Sequence, residues 1–270
     1  MNHTYFFMGG LARSGSTLLT AILNQNPNIY VSEQSPVCDL TYKLNILFEE
    51  NTFYKACSNV DARTNVVRSL IDNYYYNRPE PIIIDKFGSW GTQYNLSMIQ
   101  ALYTEDAKII CPVRDIIEIF ASNLVLIKKN KTKSYIDRML EERDIELSDE
   151  NRCEFIFDGT DGGLKHQFFA LEQCMNKEKR ECFHLIEYND LVDNPQEVLY
   201  DLYDFLNIGR YQHNYDSIKY EAKSRDAVYY GMPGLHDVRE SISKTSVNPE
   251  DIVPPSIIKK YRDIEFWRDD

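Results

Sequence analysis

The sequence predicts an α/β fold, a parallel β-sheet flanked by helices on both faces, and three observations predict it. Four short runs are apolar, β-branched or aromatic with little alternation, the pattern of strands buried on both sides. Segments of helical spacing separate them, as parallel strand connections require. The first run ends in paired glycines and leads directly into a helix, the order of a P-loop-like phosphate cradle.

The elements follow in chain order. Thr4–Met8 is the first run, and residues 81–85 (PIIID), 107–113 (AKIICPV) and 182–188 (CFHLIEY) are the others. Helical spacing is read over residues 16–26 and 93–103. After the third run, Ile116, Phe120, Leu124 and Ile127 share one helical face. Asn194-Pro195 reads as the cap and first turn of a helix through Leu206, with Gly209 just past its end. Residues 40–76 read as helical throughout, and residues 226–270 as loop with a short terminal helix. Residues 128–163 are polar, charged and weakly periodic, so an insertion or lid outside the core is expected there. With no linker visible, one domain over residues 1–270 is expected.

Composition narrows the function classes. The 270 residues carry 30 Lys+Arg and 42 Asp+Glu, a net charge of −12, with 43% hydrophobic and 27% charged residues. Mean hydropathy is −0.46 and the sequence pI about 5.0. These are the values of a globular, folded chain, and the acidic balance argues against a nucleic-acid coat. No basic leader or long apolar span is present, so a cytoplasmic protein without a membrane span is expected. None of the six cysteines has CxxC spacing, so free thiols are expected rather than a disulfide scaffold or a cysteine metal site.

The most informative stretch runs from Gly9-Gly10 through Leu11-Ala12-Arg13-Ser14-Gly15-Ser16-Thr17 into a helix. Gly10, Gly15 and Thr17 fit the pattern GxxxxGK[ST], but Ser16 stands where its lysine belongs. Glycines still turn the backbone N–H groups inward, and the helix N-terminus still adds partial positive charge. Ser14, Ser16 and Thr17 offer hydroxyls and Arg13 a cation. Without the lysine that reaches β- and γ-phosphates, the turn suits one 5′-phosphate-like group. A second anion site is read at Arg114, where the third strand ends, with Ser122 two helical turns on.

Together these motifs resemble the sulfotransferase family, whose members use 3′-phosphoadenosine 5′-phosphosulfate (PAPS) as donor. Arg13–Thr17 (RSGST) is similar to the family's 5′-phosphosulfate loop, and Arg114 with Ser122 to its 3′-phosphate site. Ile186-Glu-Tyr188-Asn-Asp-Leu, continuing to Asn194-Pro195 and Phe205-Leu206, resembles the family's YEDL…P…FL segment. Ile84-Asp85-Lys86-Phe87 resembles the lysine-bearing strand end of tyrosylprotein sulfotransferases. The four motifs stand in the family's order.

The resemblance implies a P-loop-NTPase-like sulfotransferase fold and metal-free transfer of a sulfuryl group to a hydroxyl or amine. It implies catalytic roles for Lys86, Arg13 and a general base at Glu33. Counted without gaps from the loop, however, the family's catalytic glutamate falls on Gln34, and His236 is a rival base. Cofactor contacts are expected from Arg13, Ser14, Gly15, Ser16, Thr17, Leu18, Arg114, Ser122 and Tyr188. Lys244 and Lys260 are looser matches to family elements reaching back to the cofactor phosphates. The acceptor, a small molecule, glycan or peptide, and the oligomeric state stay open. The competing readings are a P-loop nucleoside or nucleotide kinase and a non-catalytic nucleotide-binding protein of the same fold.

Overall fold

Five strands form one sheet: β1 (Thr4–Met8), β2 (Ile29–Val31), β3 (Ile82–Lys86), β4 (Ile109–Val113) and β5 (Phe183–Glu187). Their order is β2-β3-β1-β4-β5 and every pairing is parallel. The computed structural model describes residues 3–56, 59–159, 163–175, 179–220, 225–243 and 248–268. The expected doubly covered parallel sheet is therefore the architecture found. β2 is the one strand the sequence pattern misses, because three residues are too few to display a run.

Helices α1 (Ser16–Leu23), α2 (Val37–Glu50), α3 (Thr52–Ala56) and α4 (Val60–Tyr74) precede β3, and α5 (Gln93–Leu102) joins β3 to β4. Between β4 and β5 lie α6 (Ile116–Lys129), α7 (Tyr135–Glu142), α8 (Asp149–Asp158) and α9 (Leu164–Met175). α10 (Tyr188–Asp193), α11 (Pro195–Leu206), α12 (Asp226–Tyr229) and α13 (Pro255–Tyr261) follow β5.

Strand alternation sends side chains to two cores. Phe7, Ile83, Ile109, Cys111 and Val113 face one, shared with α4, α5, α6 and α9. Phe6, Met8, Ile84, Ile110 and Ile186 face the other, shared with α1 and α11. At about 25 cal/mol per Å² of buried apolar surface, each large side chain here contributes about 1.5–3 kcal/mol.

Three local expectations are corrected. The helical stretch over residues 40–76 is divided among α2, α3 and α4, with extended backbone at Asn51 (φ −77°, ψ 121°) ending α2. Asn194 makes no side-chain cap, although Pro195 does open α11, and the helix is closed by Asn207 in the left-handed region (φ 55°) rather than by Gly209. The segment 128–163 is not excluded from the core. Cys153 and Phe157 of α8 join the main core, while Ile136, Leu140 and Phe155 pack with Ile127 and Met232. Each helix there is short, so its narrow apolar face was diluted by the charges around it.

The topology itself marks a site. β3 lies on one side of β1 and β4 on the other, so chain order reverses between β1 and β4. Ligands of open α/β sheets bind beyond the strand C-termini at such a switch point. The glycine turn after β1 and Arg114 after β4 flank it.

Candidate active site

The turn after β1 is zipped to the neighbouring strand: Gly9 N–H donates to Ile110 O (2.8 Å) and Leu11 N–H to Pro112 O (2.9 Å). Gly10 and Gly15 are in the left-handed region, at φ 90° and 83°. A Cβ on Gly15 would stand 2.6 Å from the Tyr188 ring, so only glycine lets the loop approach that wall. Gly15 also occupies the N-cap of α1 and supplies no side-chain cap. The N–H groups of Ser16, Thr17 and Leu18, ahead of the first intrahelical bond from Leu19 to Gly15 O, are thus left for a ligand.

Of the loop hydroxyls, Ser16 and Thr17 line the cleft. Ser14 does not, contrary to expectation: it is buried, and its Oγ donates to Leu11 O at 2.6 Å. Its side chain fixes the loop instead of facing a ligand.

Arg114, 8% exposed, is held from two sides. Nε pairs with Glu118 Oε2 at 2.9 Å, and the guanidinium lies 4.0 Å from the centre of the Tyr188 ring. Asn189 Nδ2 in turn donates to Glu118 Oε1 (3.0 Å). Arg13 brings a second guanidinium to the same place. Its Nη2 donates to Ser122 Oγ at 3.0 Å and its Nη1 to Leu235 O. Burial and the nearby Arg114 push Arg13 down to about 10, which still leaves it charged at neutral pH. Its Nε is buried without a partner among the described residues. Sequence reasoning set Arg13 beside Lys86; in the fold its side chain joins the Arg114–Ser122 group.

Lys86 ends β3, where the backbone fastens the segment after β2. Lys86 N–H donates to Ser32 Oγ (2.8 Å) and Ser35 N–H to Lys86 O (3.0 Å). That clamp carries Glu33 into the cleft, and Gln34 lines it too. Nζ of Lys86 reaches Thr17 Oγ1 at 3.4 Å. Burial lowers Lys86 to about 8, and the Glu33 carboxylate opposes that fall. Behind Lys86, Asp85 is fully buried and accepts from Tyr75 Oη (2.6 Å) and Trp90 Nε1 (2.7 Å). Desolvation raises this carboxyl, and the donated hydrogen bonds counter the rise.

These groups border one cleft of about 930 Å³, at the large end for a small-molecule site. Leu126, Ile136, Phe155 and Ile156 give it an apolar stretch along α6, α7 and α8, joined by Met232 from the loop after α12. His236 lines the cleft as well, with Nδ1 2.8 Å from Asp226 Oδ1.

One expected contact is not in this group, and another falls outside the described residues. Lys260 is turned away, its Nζ on both carboxylate oxygens of Glu154 at 2.7 Å. An exposed lysine on a short terminal helix meets a carboxylate sooner than a distant cleft. Lys244 lies outside the described residues. Conversely, sequence reasoning missed Glu118, Asn189 and Asp226. Glu118 had a signal, since it stands four residues after Arg114, and Asn189 had one in its place beside Tyr188 within the YEDL-like segment; Asp226 had none. Among the described residues no helix is long and apolar enough to cross a membrane, and no cluster of His, Cys, Asp or Glu is disposed to hold a metal ion.

Comparison with known proteins bears on this arrangement. A sequence profile described as the sulfotransferase family matches residues 6–212. No curated protein matches the sequence. Among solved structures, a mouse sulfotransferase complexed with PAP is similar at TM-score 0.53 and 12% identity, covering 98% of this chain and 86% of that one. The sulfotransferase domain of the Synechococcus PCC 7002 olefin synthase gives 0.50 and 17%, covering 91% and 90%. The sulfotransferase domain from the curacin biosynthetic pathway gives 0.50 and 19%, covering 78% and 76%. At these identities the structural likeness speaks to fold alone.

Proposed function

Because the chain belongs to the sulfotransferase family, we propose that it transfers a sulfuryl group from PAPS to a hydroxyl or amine of an acceptor. The observation that carries this reading is the meeting of two guanidiniums beside an uncapped helix N-terminus: Arg13 donates to Ser122 Oγ, and Arg114 Nη1 reaches the Arg13 backbone carbonyl at 3.5 Å. Two desolvated guanidiniums repel each other, and Arg13 Nε has no partner among the described residues. An anion placed there relieves both penalties. A donor with separate 5′- and 3′-phosphates matches the two subsites.

The N–H groups and hydroxyls of Ser16 and Thr17, with Leu18 N–H, would hold the 5′-phosphate end. Arg114, Ser122 and Arg13 would hold the 3′-phosphate, with Tyr188 keeping Arg114 in place. PAPS supplies a sulfuryl group on a phosphate leaving group. Lys86, beside Thr17, would stabilise the negative charge that grows on that leaving group. The apolar stretch of the cleft would receive the body of the acceptor, whose identity the residues leave open among small molecules, glycans and peptides. Ser16 in place of the lysine disfavours a triphosphate-dependent kinase.

The test is thermal stabilisation by 3′-phosphoadenosine 5′-phosphate (PAP) against ATP with magnesium. At a PAP concentration 100-fold above Kd, stability should rise by about 2.7 kcal/mol. Stabilisation by ATP-magnesium and not by PAP would overturn the assignment.

A further inference from the structure

Glu33 enters the cleft on a short segment between β2 and α2 that is held at both ends. Ser32 N–H donates to Ile84 O (3.0 Å), and Ser32 Oγ accepts the Lys86 N–H (2.8 Å). Ser35 N–H donates to Lys86 O (3.0 Å). Both serines are buried, and Glu33 and Gln34 line the cleft between them.

The anchor at Ser35 continues through the sheet. The pleat sends consecutive side chains to opposite faces. Lys86, opposite Met8, therefore faces the α1 side, and Asp85, opposite Phe7, the α4 and α5 side. Asp85 accepts from Tyr75 Oη and Trp90 Nε1, and the Ser35 hydroxyl supports the same carboxylate against burial. Ser35 Oγ also accepts the Val37 N–H (3.0 Å), where α2 begins. Tyr75 closes α4, and Trp90, in the turn after β3, packs on Phe7 with ring centres 4.6 Å apart. One carboxylate thus joins the start of α2, the end of α4 and the turn after β3 to the strand that ends in Lys86. Among the described residues no cation is its partner. A buried carboxylate without one costs stability relative to an apolar side chain, and what this one supplies is position.

Two elements bear on the Lys86 amine. α1 offers Thr17, a neutral hydroxyl at 3.4 Å. The segment after β2 brings Glu33, and burial and Glu33 are the influences on the Lys86 charge. Asp85, on the other face of the sheet, is not one of them, so its hold on Lys86 is structural.

We infer that Asp85 is a positioning residue: through Ser35 it fixes the segment that presents Glu33, the carboxylate that favours the Lys86 ammonium. The use of that ammonium on the leaving group rests on the sulfuryl-transfer reading; the positioning itself does not.

The experiment uses the full chain labelled with ¹³C-lysine and follows the Lys86 Cε signal against pH, so no reaction is needed. Asp85→Asn puts an amide NH2 where an acceptor oxygen stood. Ser35→Ala removes the hydroxyl and leaves Tyr75 and Trp90 on Asp85. In each, Lys86 should titrate about 1 pH unit lower than in the wild-type chain. Glu33→Gln should give the same fall, and adding Ser35→Ala to it should give no further one. Thr41→Val removes the hydrogen bond between buried Thr41 and Tyr103 Oη (3.0 Å), in the same core but away from Ser35. It should lower the melting temperature and leave the titration unchanged. With PAPS and 4-nitrophenol, Ser35→Ala should also bring the alkaline limb of kcat/KM to lower pH, with PAP affinity nearly unchanged. An unmoved titration in Ser35→Ala, additive shifts in the double variant, or an equal shift in Thr41→Val would each overturn the inference. Should Asp85→Asn not fold, Ser35→Ala decides. Failure of the wild-type chain to bind PAP would instead overturn the sulfuryl-transfer reading and leave the titration result standing.

Discussion

The cations of the cleft fall into two regions built on opposite principles. Around Ser122, Arg13 and Arg114 are guanidiniums fixed by a hydroxyl, a backbone carbonyl, Glu118 and the face of Tyr188. Around Thr17 there is one amine, Lys86, and the Glu33 carboxylate lining the same cleft favours its charge. Arginine keeps its charge at any working pH and presents a rigid fork to phosphate. A buried lysine titrates in the physiological range, so its charge depends on its neighbours. The difference separates permanent anion binding from a group whose protonation can govern rate.

The largest effect that would break this division is expected from Lys86→Ala. In the sulfuryl-transfer reading, turnover should fall about 100–1,000-fold, the range for losing one transition-state stabiliser, with PAP affinity nearly unchanged in calorimetry. A large loss of PAP affinity with little loss of rate would merge the two regions. Arg114→Ala comes next. It should weaken PAP about 10–100-fold while leaving AMP, which lacks the 3′-phosphate, almost unaffected; equal losses would remove the 3′-subsite assignment. Lys260→Ala is the matched control, because its amine is already bound to Glu154.

The smallest effect is in pH. Lys86 is pushed down to about 8 in the free protein, so its ammonium is present below that value and lost as pH rises through it. The kcat/KM profile should be level below about 8 on this account and fall up to tenfold per unit above it. In the kcat profile the limb should move to higher pH, since a bound anion holds the proton on. An alkaline limb unaltered in Lys86→Ala would assign it to another group.

Much of the fold was legible because its signals are local. Thr4–Met8 and its following helix were read at their true starts, and the strands at 82–86, 109–113 and 183–187 fell within a residue or two of their predicted runs. What failed was also physically specific. β2 is three residues long, and α7 and α8 are too short for their apolar faces to stand out against surrounding charge. Their core residues became visible only once packed against Ile127 and Met232.

By itself, the sequence determined where chemistry-bearing residues meet the ends of strands: Arg13 to Thr17 after β1, Lys86 closing β3, Arg114 after β4. Those positions follow from strand runs and glycine turns, which neighbouring residues set through backbone conformation. The tertiary structure alone decided which side chains face each other. It turned Arg13 toward Ser122, Ser14 inward to Leu11 and Lys260 away to Glu154, and it set Asp226 behind His236. Such partners, from 3 to 109 residues apart, are chosen by packing and desolvation, and no spacing along the chain encodes those.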